Sequence, residues 1–422
     1  MTGNCKIKHR GGGGTNTEGR HKRNYKFKLA DDNWNNLDRS LLGMREDNSW
    51  ILDAGQVDMF RLRNNISHNL WLDFSTKPYY FDEEDKMTNG CHAKVIELFV
   101  NNEYRGVYSL MEPVDRKQLK LKKYKDCVNG LLYKTSSWVG TTFYDTISSP
   151  YDNHETTWGG WEVKYPEPGD DADTTDYKPL GDFINFIVFA SDADVREEIE
   201  NKLDIPVYID YVLFVQLING MDNRGKNMYW SIYNSSKKKY GKLVPTPWDM
   251  DATFGQFYVV SNDPKDSLSV VPTIDLSPVT NIDKRLRNAM GNDYSNMVES
   301  RYAALRRNYF CCDSLSQRFV NAHELLRNNG ATHREAAKWS GDTDLGGNAL
   351  DFEKELNYIK SWIAKRLDFL DKKYNYAETS GIDDIAVRRI SDTNAVYNIQ
   401  GQKVSSSYRG IVIVNGKKRY QK

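Results

Sequence analysis

Four side chains close together in the sequence have the chemistry and spacing of a metal- and phosphate-handling site. They are Asp222, Asn227, Asp249 and Asp251, within NGMDNRGKNMYWSIYNSSKKKYGKLVPTPWDMDATFG, residues 219–255. Asn227 opens an alternating segment of strand character that runs to Tyr233, the polar run Asn234 to Gly241 reads as a turn, and Leu243 to Trp248 reads as the returning strand. If the two strands pair, Asn227 and Asp249 meet at one end of the hairpin, with Asp222 in the loop that feeds it. Oxygen-bearing side chains gathered at a strand end suit a hard divalent cation. A loop Asp, an Asn five residues on and an Asp after a hairpin is also the order used in kinase-type phosphoryl transfer. Each residue taken singly is also a good turn former, because Asp and Asn bond readily to local backbone.

The elements that must position these residues can be read from the same sequence. Ile205 to Ile218 is apolar on nearly all faces and predicts a buried helix. Asp204 is its N-cap, Pro206 lies in its first turn, and Asn219-Gly220 stops it just before Asp222. The first part of the chain predicts strands at residues 5–10 and 22–29 around the Gly11–Gly14 run, a hairpin from Cys91 to Met111 and a strand from Gly130 to Thr135. A helix is expected from Asn64 to Phe74, and an irregular insertion over residues 140–175. Beyond about Leu276 the pattern is mainly helical. Leu356, Ile359, Ile363, Leu367, Leu370 and Tyr374 recur at helical spacing in the last helix.

Composition narrows the function classes. Lys plus Arg and Asp plus Glu number 58 each, so the formal net charge is zero, which argues against nucleic acid as the main partner. The five cysteines contain no CxxC and the seven histidines no HExxH, so neither structural zinc nor a thiol nucleophile is indicated. No apolar run reaches the roughly 18 residues of a membrane span. The 10 Trp and 26 Tyr suit sugar or nucleotide surfaces and, equally, an aromatic core.

Several segments together resemble the spore-coat protein H (CotH) kinase family. They are KIKHRGGGGTNTEGRHKRNYKFKL, LLGMREDNSWILDAGQVDMFRLRNN, IELFVNNEYRGVYSLMEPVD, GLLYKTSS, WEVKYPEP, DNRGKNMYW and PWDMDATFG, spread in order over about residues 5 to 375. The resemblance implies an α+β, two-lobed, atypical protein-kinase-like fold that uses ATP and Mg2+, with Mn2+ as a substitute, and a protein acceptor. It places Asp249 at the metal and nucleotide, with Asp251 as a second ligand or helper, Asn227 as a metal ligand and Asp222 as base or ligand. It marks Lys134, and Lys164 after it, as nucleotide contacts. Glu112, at a strand end, is expected to pair with a site lysine, as kinases do, or to stand as an exposed strand-end carboxylate. Arg63 matches a family block and is read either as a nucleotide contact or as a support of the fold. The Gly11–Gly14 run, flanked by Arg10, Lys22, Arg23, Lys26 and Lys28, reads as a flexible turn or as a phosphate nest.

Residues 1–376 are expected to form the kinase-like domain, with an incomplete N-terminus, residues 377–383 a linker, and residues 384–422 a small all-β tail. The tail resembles the sorting or anchoring tails of exported Bacteroidetes-type proteins. That resemblance implies an extracellular or cell-surface location, whereas the missing signal peptide leaves a cytoplasmic one open. The expected activity is transfer of the γ-phosphate of ATP to a Ser or Thr hydroxyl of an extracytoplasmic protein. The alternatives are a non-catalytic nucleotide- or glycan-binding surface protein on the same scaffold and a carboxylate-pair glycoside hydrolase.

Overall fold

A computed structural model describes residues 3–11, 20–169, 172–257, 270–377, 396–398, 408–414 and 417–421. The chain divides into two compact units, Met1–Tyr374 and Asn375–Lys422. Helices and antiparallel sheets are mixed throughout the first unit, which makes it α+β.

Two five-stranded sheets dominate the first unit. In one, the strand order is Asn4–His9, Tyr25–Ala30, Ser49–Asp53, Glu103–Met111, Ala93–Val100. Its inner face carries Trp50, Leu52, Tyr108 and Leu110 as one apolar cluster, with Tyr25, Phe27 and Leu29 packed against it. Side chains alternate across a strand, so residues one position away, such as Lys26, Ile51, Asp53 and Met111, lie on the opposite face. The second sheet runs Leu243–Pro247, Met228–Ile232, Leu131–Thr135, Trp161–Tyr165, Thr157–Trp158. Its Trp161–Tyr165 strand arises inside the stretch read from sequence as an irregular insertion; Thr, Asp, Gly and Pro around a five-residue strand masked its signal.

The central helix is Ile205–Ile218. Asp204 caps it by accepting from the Val207 N–H, and Asn219 ends it in the left-handed conformation at φ 53°. Its aromatic face meets the Arg63–Phe74 helix, with Trp71 and Phe214 ring centroids 5.4 Å apart. The Arg301 guanidinium holds the buried Asp210 carboxylate at 2.6 Å, tying in the Asn292–Asn308 helix. Leu356, Ile359, Ile363, Leu367 and Leu370 form the buried stripe of the Phe352–Lys373 helix, as their spacing predicts. The Ala93–Val100 and Glu103–Met111 strands turn at Asn101 and Asn102, both with positive φ. Gly106 lies in the second strand, beside a register shift, and not in the turn.

A buried ionic knot links the first sheet to the C-terminal helices. Glu335 accepts from Lys22 Nζ at 2.8 Å, Arg61 Nε at 2.7 Å and the Val107 N–H at 2.7 Å. All three side chains are almost wholly buried. No helix among the described residues is long and apolar enough to cross a membrane.

The second unit contributes a three-stranded antiparallel sheet, Val396–Asn398, Gly410–Val414 and Lys417–Gln421. Asn415-Gly416, a pair whose residue types suit a hairpin turn, and residues 378–383 of the expected linker lie outside the described residues.

Candidate active site

The hairpin that carries the acidic residues forms as its alternation predicts. Met228 pairs with Pro247 and Ile232 with Leu243. Trp248 donates its N–H to the Asn227 carbonyl at 3.0 Å, closing the end where Asn227 and Asp249 meet. Both Asn227 and Asp249 take positive φ, 59° and 55°, a conformation Asn and Asp tolerate better than most residues. The Asn227 amide donates to the Asp249 carbonyl at 3.4 Å, which leaves the Asp249 carboxylate exposed. Asn223, not singled out from sequence, locks this corner by donating to the carbonyls of Asn227 and Trp248 at 2.9 and 2.8 Å.

The Asp249 side chain opens into a cavity of about 280 Å³ lined by both five-stranded sheets. From the first sheet come Arg10, Gly11, Asn24, Asp53 and Met111; from the second, Lys134, Glu162, Lys164 and Trp248; from the Arg63–Phe74 helix, Asn64. Lys134 is directly opposite Glu162 in the strand register. Burial lowers the Lys134 pKa, while Asp249 and Glu162 act the other way. Lys164 is ion-paired with Glu162. The Arg10 guanidinium lies over the Trp248 ring, 5.2 Å from its centroid.

Three carboxylates crowd this end of the cleft. Burial pushes the Asp53 carboxyl up and Asp249 adds to the rise, against a 2.8 Å hydrogen bond from the Asn64 amide. Burial, then Asp249 and Asp53, push Asp251 well above the usual carboxylate range. Asn64 connects the two groups, since its Oδ1 accepts from the Met250 N–H at 2.9 Å. Asp53 and Asn64 were not singled out from sequence as site residues. The clue was Asp53 at the end of the apolar strand Ser-Trp-Ile-Leu-Asp, a placement like that of Asp249.

The other candidates have other surroundings. The Asp222 carboxylate pairs with Lys226 at 3.1 Å, in a short turn outside the cavity lining. Arg63 is fully buried and bonded to Asp58 at 2.7 Å and Glu355 at 2.5 Å. Glu112 faces away from the cleft and accepts from His92 Nδ1, the His92 N–H, the Arg45 N–H and the Gln118 amide. Burial alone would raise its pKa, but these hydrogen bonds prevail and hold it at about 2. Of the glycine run only Gly11 is described, and it lines the cavity. Behind Trp248 lies a buried pair, Cys91 Sγ and His68 Nδ1 at 3.3 Å. Burial lowers the His68 pKa to about 3 and raises that of the thiol, an environment that keeps thiolate chemistry out of reach.

No three His, Cys, Asp or Glu side chains among the described residues gather closely enough to enclose a metal ion by themselves. This donor set fits Mg2+ held through one or two carboxylates plus substrate phosphates, which is how Mg2+ is usually bound, and does not fit an all-protein cage.

Fold and cleft define an α+β protein with a charged cavity between two antiparallel sheets. The chain belongs to the CotH kinase family: the family model described as CotH kinase protein matches residues 7–370. No curated protein matches the chain.

Proposed function

We propose that the first unit is a two-lobed, kinase-like phosphotransferase that moves the γ-phosphate of ATP to a Ser or Thr hydroxyl of an extracytoplasmic protein. The observation that carries this reading is the cleft itself, in which Arg10, Lys134 and Lys164 face Asp249 and Asp53 across one cavity. Phosphoryl transfer asks a protein mainly for positioning and charge stabilisation. Lys134, Lys164 and Arg10 would balance phosphate charge, and the Trp248 face offers an apolar wall. Asp249 would hold Mg2+ (or Mn2+) together with the substrate phosphates, with Asp53 and Asp251 buried behind it, and the ion when bound supplies neutralising charge at the phosphate oxygens. Burial first, and then the repulsion between these carboxylates, raises the Asp53 and Asp251 pKa values; binding the ion would relieve the second of these. Asp222, which lies outside the cavity lining, would leave its Lys226 partner to take the proton of the acceptor hydroxyl as the hydroxyl oxygen bonds to the γ-phosphorus and the bond to the leaving ADP oxygen breaks. The three-stranded tail, read as a sorting or anchoring element, would place the reaction outside the cytoplasm.

The test is calorimetric titration of ATP with and without Mg2+, for wild type and Asp249→Asn. Mg2+-dependent binding that disappears in the variant supports the reading. Folded wild type that ignores Mg2+-ATP, or a variant that binds equally well, removes it and favours the non-catalytic surface-protein alternative.

A further inference from the structure

The face of the first sheet that looks into the cleft carries a lysine array that the nucleotide chemistry leaves without a role. Asn4–His9 pairs with Tyr25–Ala30 so that Lys6 lies directly opposite Lys28 and Lys8 opposite Lys26. Phe27 and its neighbours Tyr25 and Leu29 pack on the apolar cluster, so alternation puts all four lysines on the other face. They surround a cavity of about 330 Å³. The same parity continues through Arg10 and Asn24, one residue beyond the ends of these two strands, and through Asp53 and Met111 farther into the sheet, all of which line the candidate active site. Arg10 extends the ladder by donating its N–H to the Asn24 carbonyl at 2.9 Å.

Like charges directly opposite one another destabilise a strand pair. Lysines on an edge strand have an ordinary explanation, because they deter edge-to-edge aggregation. That explanation covers Lys6 and Lys8 on the edge strand. It does not cover Lys26 and Lys28, whose strand is paired on both sides. Among the described residues no carboxylate is in ion-pair contact with any of the four, and of the four only Lys6 has a hydrogen bond to them, to the Trp34 carbonyl at 3.0 Å. Burial and the neighbouring Lys28, Arg10 and Lys8 all press the Lys26 ammonium towards losing its proton. The array is a compensating anion short.

We infer that this lysine face is the docking track for the acceptor, and that the acceptor segment is extended and acidic. The inference rests on the phosphotransferase reading for the identity of the occupant. Geometry selects the extended form: Lys6, Lys8 and Arg10 recur at alternate positions, about 6.7 Å apart along the strand, and the neighbouring strand is about 4.8 Å away. Alternate side chains of an extended segment have the same 6.7 Å repeat, so Asp, Glu or phosphorylated residues at every second position meet successive cations. Among the described residues the outer strand is a sheet edge, to which such a segment could pair. The row ends at Arg10, which delivers the segment to the cavity beside Asp249.

The experiment uses the full chain and a fluorescein-labelled twelve-residue peptide with one Ser and Glu at alternate positions, against the same peptide with Gln for Glu. Fluorescence anisotropy is read at low and high salt, without nucleotide. Wild type should bind the Glu peptide in a strongly salt-dependent way and not the Gln peptide. Lys8→Ala/Lys28→Ala should weaken binding about tenfold, the loss of two exposed ion pairs. Lys8→Arg/Lys28→Arg should retain it, and this pair keeps the test decisive if the alanine variant fails to fold. Mg2+-ATP affinity, measured in parallel, should be the same in all three proteins. Equal binding of both peptides, or no loss in the folded alanine variant, overturns the docking track whatever ATP does. Loss of ATP affinity in place of peptide affinity also overturns it and assigns the lysines to the nucleotide. Peptide binding by a chain that ignores ATP keeps the acidic track and removes the phosphotransferase.

Discussion

Asn64 is the residue on which stability and site geometry should fall together. Its side chain is buried, with Nδ2 donating to Asp53 Oδ2 at 2.8 Å and Oδ1 accepting from the Met250 N–H at 2.9 Å. One amide thus ties a carboxylate of the first sheet to the segment between Asp249 and Asp251. Asn64→Ala deletes a hydrogen bond to a carboxylate, worth about 1.5–3 kcal/mol, and strands a buried N–H at about 1–3 kcal/mol. Water entering from the adjoining cavity can satisfy part of the second loss, so a net destabilisation of about 2–4 kcal/mol is expected. Urea unfolding followed by tryptophan fluorescence measures it. Because the 249–251 segment loses its anchor, Mg2+-ATP affinity should fall in the same variant.

Asn64→Asp separates this account from simple loss of packing. The volume is kept and one oxygen can still accept from Met250, but a carboxylate now replaces the amide against Asp53. Two carboxylates at hydrogen-bond distance cannot both ionise cheaply, so this variant should be less stable than Asn64→Ala at pH 7 and recover as the pH falls and the pair takes up a proton. If Asn64→Ala unfolds within about 0.5 kcal/mol of wild type, the range of an ordinary surface substitution, or if Asn64→Asp shows no recovery in acid, the bridging role is wrong.

Three further outcomes follow from the same geometry. Asp251 has a folded-state pKa raised by burial, Asp249 and Asp53, so it weakens the metal-free fold as pH rises above the unfolded carboxylate value; Asp251→Asn should therefore raise the melting temperature at pH 7, and the gain should shrink as the pH falls from the raised folded value towards the unfolded pKa near 4, vanish below it, and also shrink in the presence of Mg2+-ATP. Glu335→Ala strips Lys22 and Arg61 of their shared buried counter-charge, and should cost about 3–5 kcal/mol in urea unfolding. Lys134→Met replaces a half-buried ammonium that burial disfavours; it should leave the unfolding midpoint nearly unchanged while weakening Mg2+-ATP binding about 10- to 100-fold by calorimetry, the equivalent of one charged hydrogen bond.

What could be read from sequence was set by near neighbours. The Met228–Ile232 and Leu243–Pro247 hairpin follows from alternation flanking a polar turn, and the Ile205–Ile218 helix from a cap at Asp204 and a stop at Asn219. The Trp161–Tyr165 strand escaped because its pairing with Leu131–Thr135 reaches back across an irregular loop and only five residues carry the signal. Asp53, Asn64 and Glu335 escaped for a different reason. Each is an ordinary polar residue in its own segment and gains its meaning from partners far away, as with Asn64 and Met250, 186 positions apart.

The same distinction explains the uneven surroundings of the candidate site residues. Asp249 and Lys134 stand at strand ends or on a strand face that the two sheets turn towards each other, so local periodicity was enough to aim them at a common cavity. Glu112 and Arg63 stand equally well placed in sequence, but their immediate partners decide their use. Glu112 is one residue beyond Met111, and that single step turns it to the other face of the sheet, where His92, Arg45 and Gln118 meet it. Arg63 begins a helix whose first turn is buried against Asp58 and Glu355. A buried arginine with two carboxylates has no charge left to offer a phosphate, whereas Arg10, half-buried on the cleft side and stacked on Trp248, does. In this fold a basic residue is most available to an anionic ligand when sheet parity points it at the cleft and no described carboxylate pairs with it first; Lys164, paired with Glu162, would have to exchange that partner for a phosphate. Arg10 meets both conditions, and so do the four lysines of the outer strands.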